Sequence, residues 1–123
     1  MYLFDTNAII YFVRKEPEAS ALLSPIFAAN VPLFVATISV AEFFSPRVLL
    51  DDERYGVEGI LNVLSPVPLD MPMARRSGHL RSTCNLKLAD SIIAASALFV
   101  NATIVTRNIT DFKRVPGLSI EKI

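Results

Sequence analysis

Four acidic side chains stand where the surrounding sequence gives a charge little reason to be. Asp5 follows the apolar run Tyr2-Leu3-Phe4 and precedes Ala8-Ile9-Ile10-Tyr11-Phe12-Val13. Glu42 comes shortly after Leu33-Phe34-Val35-Ala36, and Asp111 shortly after Thr103-Ile104-Val105 and the polar Thr106-Arg107-Asn108. Asp90 has Leu86, Ile93 and Ala94 as its neighbours at helical spacing, with Ala97 one turn on, so a helix would carry it on the stripe meant for the core. A carboxylate there needs hydrogen bonds, a cation or a wet cleft. Carboxylates that converge repel one another and stay ionised together only if protons or cations intervene. Oxygen donors without His or Cys favour Mg²⁺ or Mn²⁺ over zinc. The chemistry such a site could perform is metal-assisted phosphodiester hydrolysis, with basic residues nearby holding a nucleic-acid strand.

Each acid also has an ordinary structural explanation. Asp, Thr and Asn are preferred helix N-caps, so Asp5, Thr6 or Asn7 could serve only to start a helix. Ser39-Val40-Ala41-Glu42 matches a capping box, in which the two side chains satisfy each other's backbone donors. Asp90 could reach Lys87 or a backbone amide at a helix start near Asn85. His79 stands alone in a basic helix, as a surface residue rather than a ligand.

The elements that must position these residues alternate. Tyr2 to Phe4 reads as a strand, and a helix follows from about Asn7 to Arg14. Pro17 begins a second helix that continues through Phe27 with Pro25 as a bend point, helped by acids near its positive end. Leu33 to Ala36 is a strand, Val40 to Phe44 a helix broken by Ser45-Pro46, and Asp51 to Leu64 an amphipathic stretch. Pro66 to Leu69 is extended and suits a sheet edge, since proline costs a ladder bond. Met73 to Ser82 is a basic helix, Leu86 to Val100 the strongest helix, Thr103 to Val105 a β-branched strand, and Leu118 to Ile120 a last strand after the Pro116-Gly117 turn. Alternation of this kind favours a parallel sheet, whose ligands collect beyond the carboxyl ends of the strands. Asp5 and Glu42 converge at that edge.

Composition narrows the class. A chain of 123 residues with 52% apolar residues and few glycines is one helix-rich domain, with apolar surface left for a partner. The apolar Val48-Leu49-Leu50 and Leu61-Val63-Leu64 segments add to that surplus and lead us to expect a homodimer. The lone Cys84 excludes an intrachain disulfide or a thiolate metal cluster and fits a reducing cytoplasm. Asp5 interrupts any secretory signal, and the longest apolar stretch, Ser91 to Thr106, contains Asn101 and falls short of the roughly 20 residues of a membrane-spanning helix. Net charge is zero, yet residues 75–114 hold seven basic side chains against two acids, while residues 1–74 hold four against nine. A basic segment of this kind can follow a phosphate backbone on an otherwise neutral molecule.

Leu3-Phe4-Asp5-Thr6-Asn7, Val40-Ala41-Glu42-Phe43, Leu88-Ala89-Asp90-Ser91-Ile92-Ile93-Ala94-Ala95-Ser96-Ala97 and Val105-Thr106-Arg107-Asn108-Ile109-Thr110-Asp111-Phe112, closed by Val115-Pro116-Gly117-Leu118, together resemble a PIN domain, and within that family the small VapC-type toxins. The resemblance covers nearly the whole chain. It implies a three-layer α/β/α sandwich around a parallel sheet of about five strands. It also implies a Mg²⁺- or Mn²⁺-dependent endoribonuclease paired with an antitoxin. By position, the family's invariant acids fall on Asp5, Glu42 and Asp90. Many PIN domains have aspartate where Asn108 stands, and the resemblance to the toxin branch makes Asp111 the fourth ligand, directly or through water. Thr6, Asn7, Ser91, Arg107 and Asn108 resemble groups that orient ligands or hold the scissile phosphate. Two other classes compete. An aspartyl-phosphate phosphatase would use Asp5 as nucleophile but would want an aspartate at Asn7, and a binding module on the same scaffold would need no acid set.

Overall fold

The first strand already divides its side chains between two layers. In β1 (Tyr2–Phe4) Leu3 packs into a cluster with Ala36, Ile93 and Ile104, and Phe4 into another with Ile9, Val35 and Val105. Successive strand residues point to opposite faces, so a strand buried on both sides must be apolar throughout. The computed structural model describes all residues from Met1 to Ile123.

After β1 the chain continues with α1 (Thr6–Val13), α2 (Pro17–Ala28), β2 (Leu33–Ala36), α3 (Thr37–Phe43), α4 (Asp51–Leu61), β3 (Ser65–Val67), α5 (Met71–Cys84), α6 (Leu88–Phe99), β4 (Thr103–Thr106), α7 (Ile109–Phe112) and β5 (Ile120–Lys122). The five strands form one sheet in the order β3-β2-β1-β4-β5, and all four pairings are parallel. Helices α1, α2 and α4 cover the Phe4 face and α5 and α6 cover the Leu3 face, which gives the three layers expected from the resemblance. Phe27 of α2 stacks on Phe4, with ring centroids 5.2 Å apart, and also meets Phe12 of α1 at 5.0 Å. That aromatic column locks the first two helices to the central strand. No helix is long and apolar enough to cross a membrane.

Several boundaries differ from the sequence reading for local reasons. The last strand begins two residues late. Gly117 takes a left-handed φ of 78°, Leu118 closes a turn onto the Val115 carbonyl, and pairing starts only where Ile104 donates to the Ser119 carbonyl at 2.9 Å. Helix α6 starts at Leu88 because Asn85, at φ 53°, ends α5 in a left-handed turn and Leu86 drops into the core. Helix α3 starts at Thr37, so Ser39 lies inside it and the Ser39–Glu42 capping box does not form. Pro66 sits in edge strand β3 as its missing N–H requires. Leu49 and Leu64 are buried in the core beneath the Phe4 face, leaving Leu50 and Val63 as the exposed members of their segments. The Cys84 thiol is buried and free.

Candidate active site

The order of strands decides where the site lies. From β1 the chain steps outward through β2 to β3, then returns to β4 on the other side of β1 and steps to β5. The direction of winding therefore reverses between β1 and β4, and the crevice beyond their carboxyl ends is where such sheets bind ligands. Asp5 is the first residue past β1 and Thr106 the last of β4, and the two strands are tied there by the Asp5 N–H donating to the Val105 carbonyl at 3.2 Å. A cleft of about 180 Å³ opens at this point, lined by Asp5, Asn7, Tyr11, Arg107 and Asn108. A hollow of about 440 Å³ between α5 and α6, around Leu98 and Phe99, contains no carboxylate and includes the exposed His79.

Both carboxylate oxygens of Asp5 have protein donors. Its Oδ1 accepts from the Ala8 N–H at 2.7 Å, capping α1, and its Oδ2 accepts from the Thr106 hydroxyl. The Thr106 oxygen in turn accepts from the Asn108 N–H at 2.9 Å, so a relay of donors runs from the loop after β4 into the Asp5 carboxylate. Thr106 is completely buried. Nothing in the sequence singled it out, because a threonine ending a β-branched strand reads as ordinary β-propensity.

Glu42 reaches across to the next residue of the first block. The Thr6 hydroxyl lies 2.6 Å from Glu42 Oε1 and 2.9 Å from the Ser39 hydroxyl. Its single proton goes to the carboxylate, the stronger acceptor, and the buried Ser39 donates to the Thr6 oxygen. Asp90 stands in the first turn of α6, half-buried, and accepts no hydrogen bond from protein. It caps nothing. Asp111 is the one acid of the four held by a cation: Asn108 Nδ2 donates to its Oδ2 at 2.9 Å, and Arg114 forms an ion pair with its Oδ1.

The charges of these acids act on one another. Burial pushes the Asp5 carboxyl up to about 6, against the lowering effect of the Thr106 and Ala8 hydrogen bonds, and the charges of Asp90 and Glu42 push it further. Asp90 is also raised, first by burial and then by Asp111, with Lys87 opposing and Glu42 adding. Asp111 moves the other way, lowered by the Asn108 hydrogen bond and by Arg114. Asp5, Glu42 and Asp90 thus share one field of negative charge, which Lys87 offsets in part and to which Asp111 couples through Asp90. As they stand, no three of the acids are gathered closely enough to cage an ion. Glu42 is turned to Thr6 and Asp111 to Arg114, which is how repelling carboxylates spread when protein donors are the only partners within reach. The donor set is oxygen alone and the field is negative, both of which fit a hard divalent cation.

The remaining predicted residues divide. Asn7 and Asn108 line the cleft, and Asn108 also caps α7 and donates to Asp111. The Ser91 hydroxyl donates to the Leu88 carbonyl at 2.6 Å, bracing the turn that carries Asp90 instead of facing the cleft. Arg107 lies at the cleft but is paired with Glu16 and laid over the Tyr11 ring, 4.1 Å from its centroid. Tyr11 and Glu16 join the site only through the fold, because their partner Arg107 is distant in sequence, whereas Arg114 meets Asp111 three residues away.

A parallel sheet with helices on both faces and acids around its switch point is an architecture that nucleases share, and comparison makes the class specific. The PIN-domain family model matches residues 2–118, and the chain belongs to that family. It is 28% identical to ribonuclease VapC2 of Rickettsia felis, over 98% of this chain and 96% of that protein. It is 24% identical to the tRNA(fMet)-specific endonuclease VapC of Salmonella typhimurium, over the same shares of the two chains. Among solved structures, a toxin–antitoxin complex from Klebsiella pneumoniae superposes with a TM-score of 0.82 at 28% identity, covering 100% of both chains. VapBC2 from Rickettsia felis, bound to a DNA fragment from its promoter, gives 0.80 at 26% identity, covering 99% of this chain and 98% of that one.

Proposed function

We propose that this chain is a divalent-metal-dependent endoribonuclease and the toxin of a toxin–antitoxin pair, acting in the cytoplasm as a single PIN domain that forms homodimers. The observation that carries this is a buried carboxylate, Asp5, set at the switch point with its carboxyl raised chiefly by burial and further by the charges of Asp90 and Glu42, in a chain whose relatives are ribonucleases and whose structural neighbours are toxin–antitoxin complexes. Asp5, Glu42 and Asp90 are the ligands, and Asp111 adds a fourth carboxylate once it releases Arg114. A bound Mg²⁺ or Mn²⁺ supplies positive charge that eases deprotonation of water and stabilises charge on the phosphate.

The chain's own residues do the positioning. The Ala8 N–H and the Thr106 hydroxyl fix both oxygens of Asp5, and the Thr6 hydroxyl holds Glu42 against α1. Ser91 stiffens the first turn of α6 beneath Asp90. Asn7 and Asn108 offer neutral amides on the cleft wall, suited to a phosphate oxygen or a sugar hydroxyl. A second reading, a binding module on the same scaffold, draws on the separation of the acids and the pairing of Asp111 with Arg114.

Cleavage of RNA with Mg²⁺ or Mn²⁺, by wild type and by Asp90→Asn, is the test. Loss of metal-dependent cleavage in Asp90→Asn is expected, and wild-type turnover in that variant would refute the assignment. Calorimetry with Mn²⁺ separates the binding module, which has no millimolar-or-tighter site.

A further inference from the structure

The cleft that Asp5 lines is otherwise built from residues that supply no carboxylate. Asn7 and Tyr11 are one helical turn apart on α1, so they share a face, and both line the cleft beside Asp5. The Tyr11 ring is half-buried, and its outward face is covered by the Arg107 guanidinium rather than by core. Arg107 is itself exposed and held in place by Glu16, at the head of α2. A planar aromatic ring therefore lines the same cleft as Asp5, under a cation whose ion-pair partner is a surface carboxylate.

Resting on the ribonuclease reading, we propose that Tyr11 is the stacking platform for a nucleobase next to the scissile phosphate, and that Arg107 is its exchangeable cover. In the free protein Glu16 neutralises Arg107 and keeps it over the ring. A phosphate oxygen of single-stranded RNA offers the guanidinium an equal or better fork of acceptors. When Arg107 turns to that phosphate it leaves Glu16, and the vacated ring face takes the base. Every base has a π-face, so the platform selects for unpaired nucleotides over duplex rather than for one sequence. Glu16 thus competes with substrate. If the three residues merely tied the loop after β4 to the first two helices, removing the Glu16 charge would weaken the wall, not free it.

The chain contains no tryptophan, so Tyr11→Trp introduces a single reporter into the full protein. Binding is followed in EDTA and in Ca²⁺ with a hexamer of adenosine and with the same hexamer lacking its bases. The adenosine hexamer should quench the tryptophan and the abasic one should not. Tyr11→Ala and Tyr11→Leu should weaken the adenosine hexamer about tenfold, as expected for one lost stacking contact, and leave the abasic hexamer unchanged. Tyr11→Phe should bind like wild type. Arg107→Ala should weaken both probes, and Glu16→Gln should tighten both. Unchanged fluorescence during binding, equal losses on the two probes in the Tyr11 variants, or weaker binding by Glu16→Gln would overturn the platform and leave the nuclease assignment standing. Wild type that binds neither hexamer in either condition would overturn the ribonuclease reading, and the platform with it.

Discussion

Asparagine at position 5 should make the metal-free protein more stable, although it removes a helix-capping carboxylate. The Asp5 carboxyl is pushed from an ordinary value of 3.8 to about 6, chiefly by burial. At about 1.4 kcal/mol for each tenfold change in proton affinity, holding Asp5 ionised in the fold costs at most about 3 kcal/mol. The sign follows from linkage. A carboxyl raised in the folded state contributes its stability in full below pH 3.8, and that contribution is lost as pH rises through about 6. Asp90 is raised too and acts in the same direction, whereas Asp111 is lowered and acts in the opposite one, gaining above its unfolded value. The pH profile of wild type alone mixes these signs, so the informative quantity is the difference between Asp5→Asn and wild type. Asparagine still presents a carbonyl oxygen to the Ala8 N–H, preserving the cap, while its NH₂ meets the Thr106 oxygen where a charged acceptor stood. Urea unfolding in EDTA should therefore show the two proteins nearly equal at pH 4. By pH 8 the variant should be more stable by about 1–3 kcal/mol, part of the relief being spent on the poorer Thr106 contact. Mn²⁺ should reverse the ranking, since at a hundredfold excess over Kd wild type gains about 2.7 kcal/mol and the variant less. A variant less stable than wild type at pH 8 in EDTA, with a gap that Mn²⁺ does not widen, would show that Asp5 is only a helix cap.

Thr106→Val keeps the shape of the β4 terminus but strips the buried Asp5 oxygen of its donor, so it should lose about 1–3 kcal/mol in urea unfolding and raise the Asp5 carboxyl further. NMR titration of the Asp5 side chain would check the second effect. Arg114→Gln removes the cation that occupies Asp111 and should tighten Mn²⁺ binding by about fivefold, the size of a ~1 kcal/mol charge–charge interaction across solvent. Unchanged affinity by calorimetry would place Asp111 outside the metal's reach. Sedimentation at micromolar concentration should show a dimer, and a species of 13.6 kDa alone would count against pairing. Phe99→Glu, on the exposed apolar end of α6, should favour the monomer if that face is the one that pairs.

The sequence by itself determined the alternation of strands and helices, because two-sided burial makes β1 and β2 continuously apolar and β4 β-branched throughout, and the helix stripes repeat at their own period. It also marked Asp5, Glu42 and Asp90, since a charge interrupting such a pattern is visible without coordinates. Tertiary structure alone decided the distant partners of Asp5 and Glu42. The Ser39–Glu42 box looked self-contained, but α3 begins two residues before Ser39, and both side chains turn instead to Thr6, more than thirty residues earlier. The Thr106 hydroxyl reaches Asp5 across 101 residues, and no local periodicity encodes a contact made only when β4 pairs with β1. Strand order is likewise a global choice: the same apolar segments could be threaded in other sequences, and only the order β3-β2-β1-β4-β5 puts the reversal of winding beside Asp5. Arg107 shows the limit of charge reading. Its sequence says basic and available for phosphate, whereas the fold supplies Glu16 and Tyr11 as partners and makes that availability conditional.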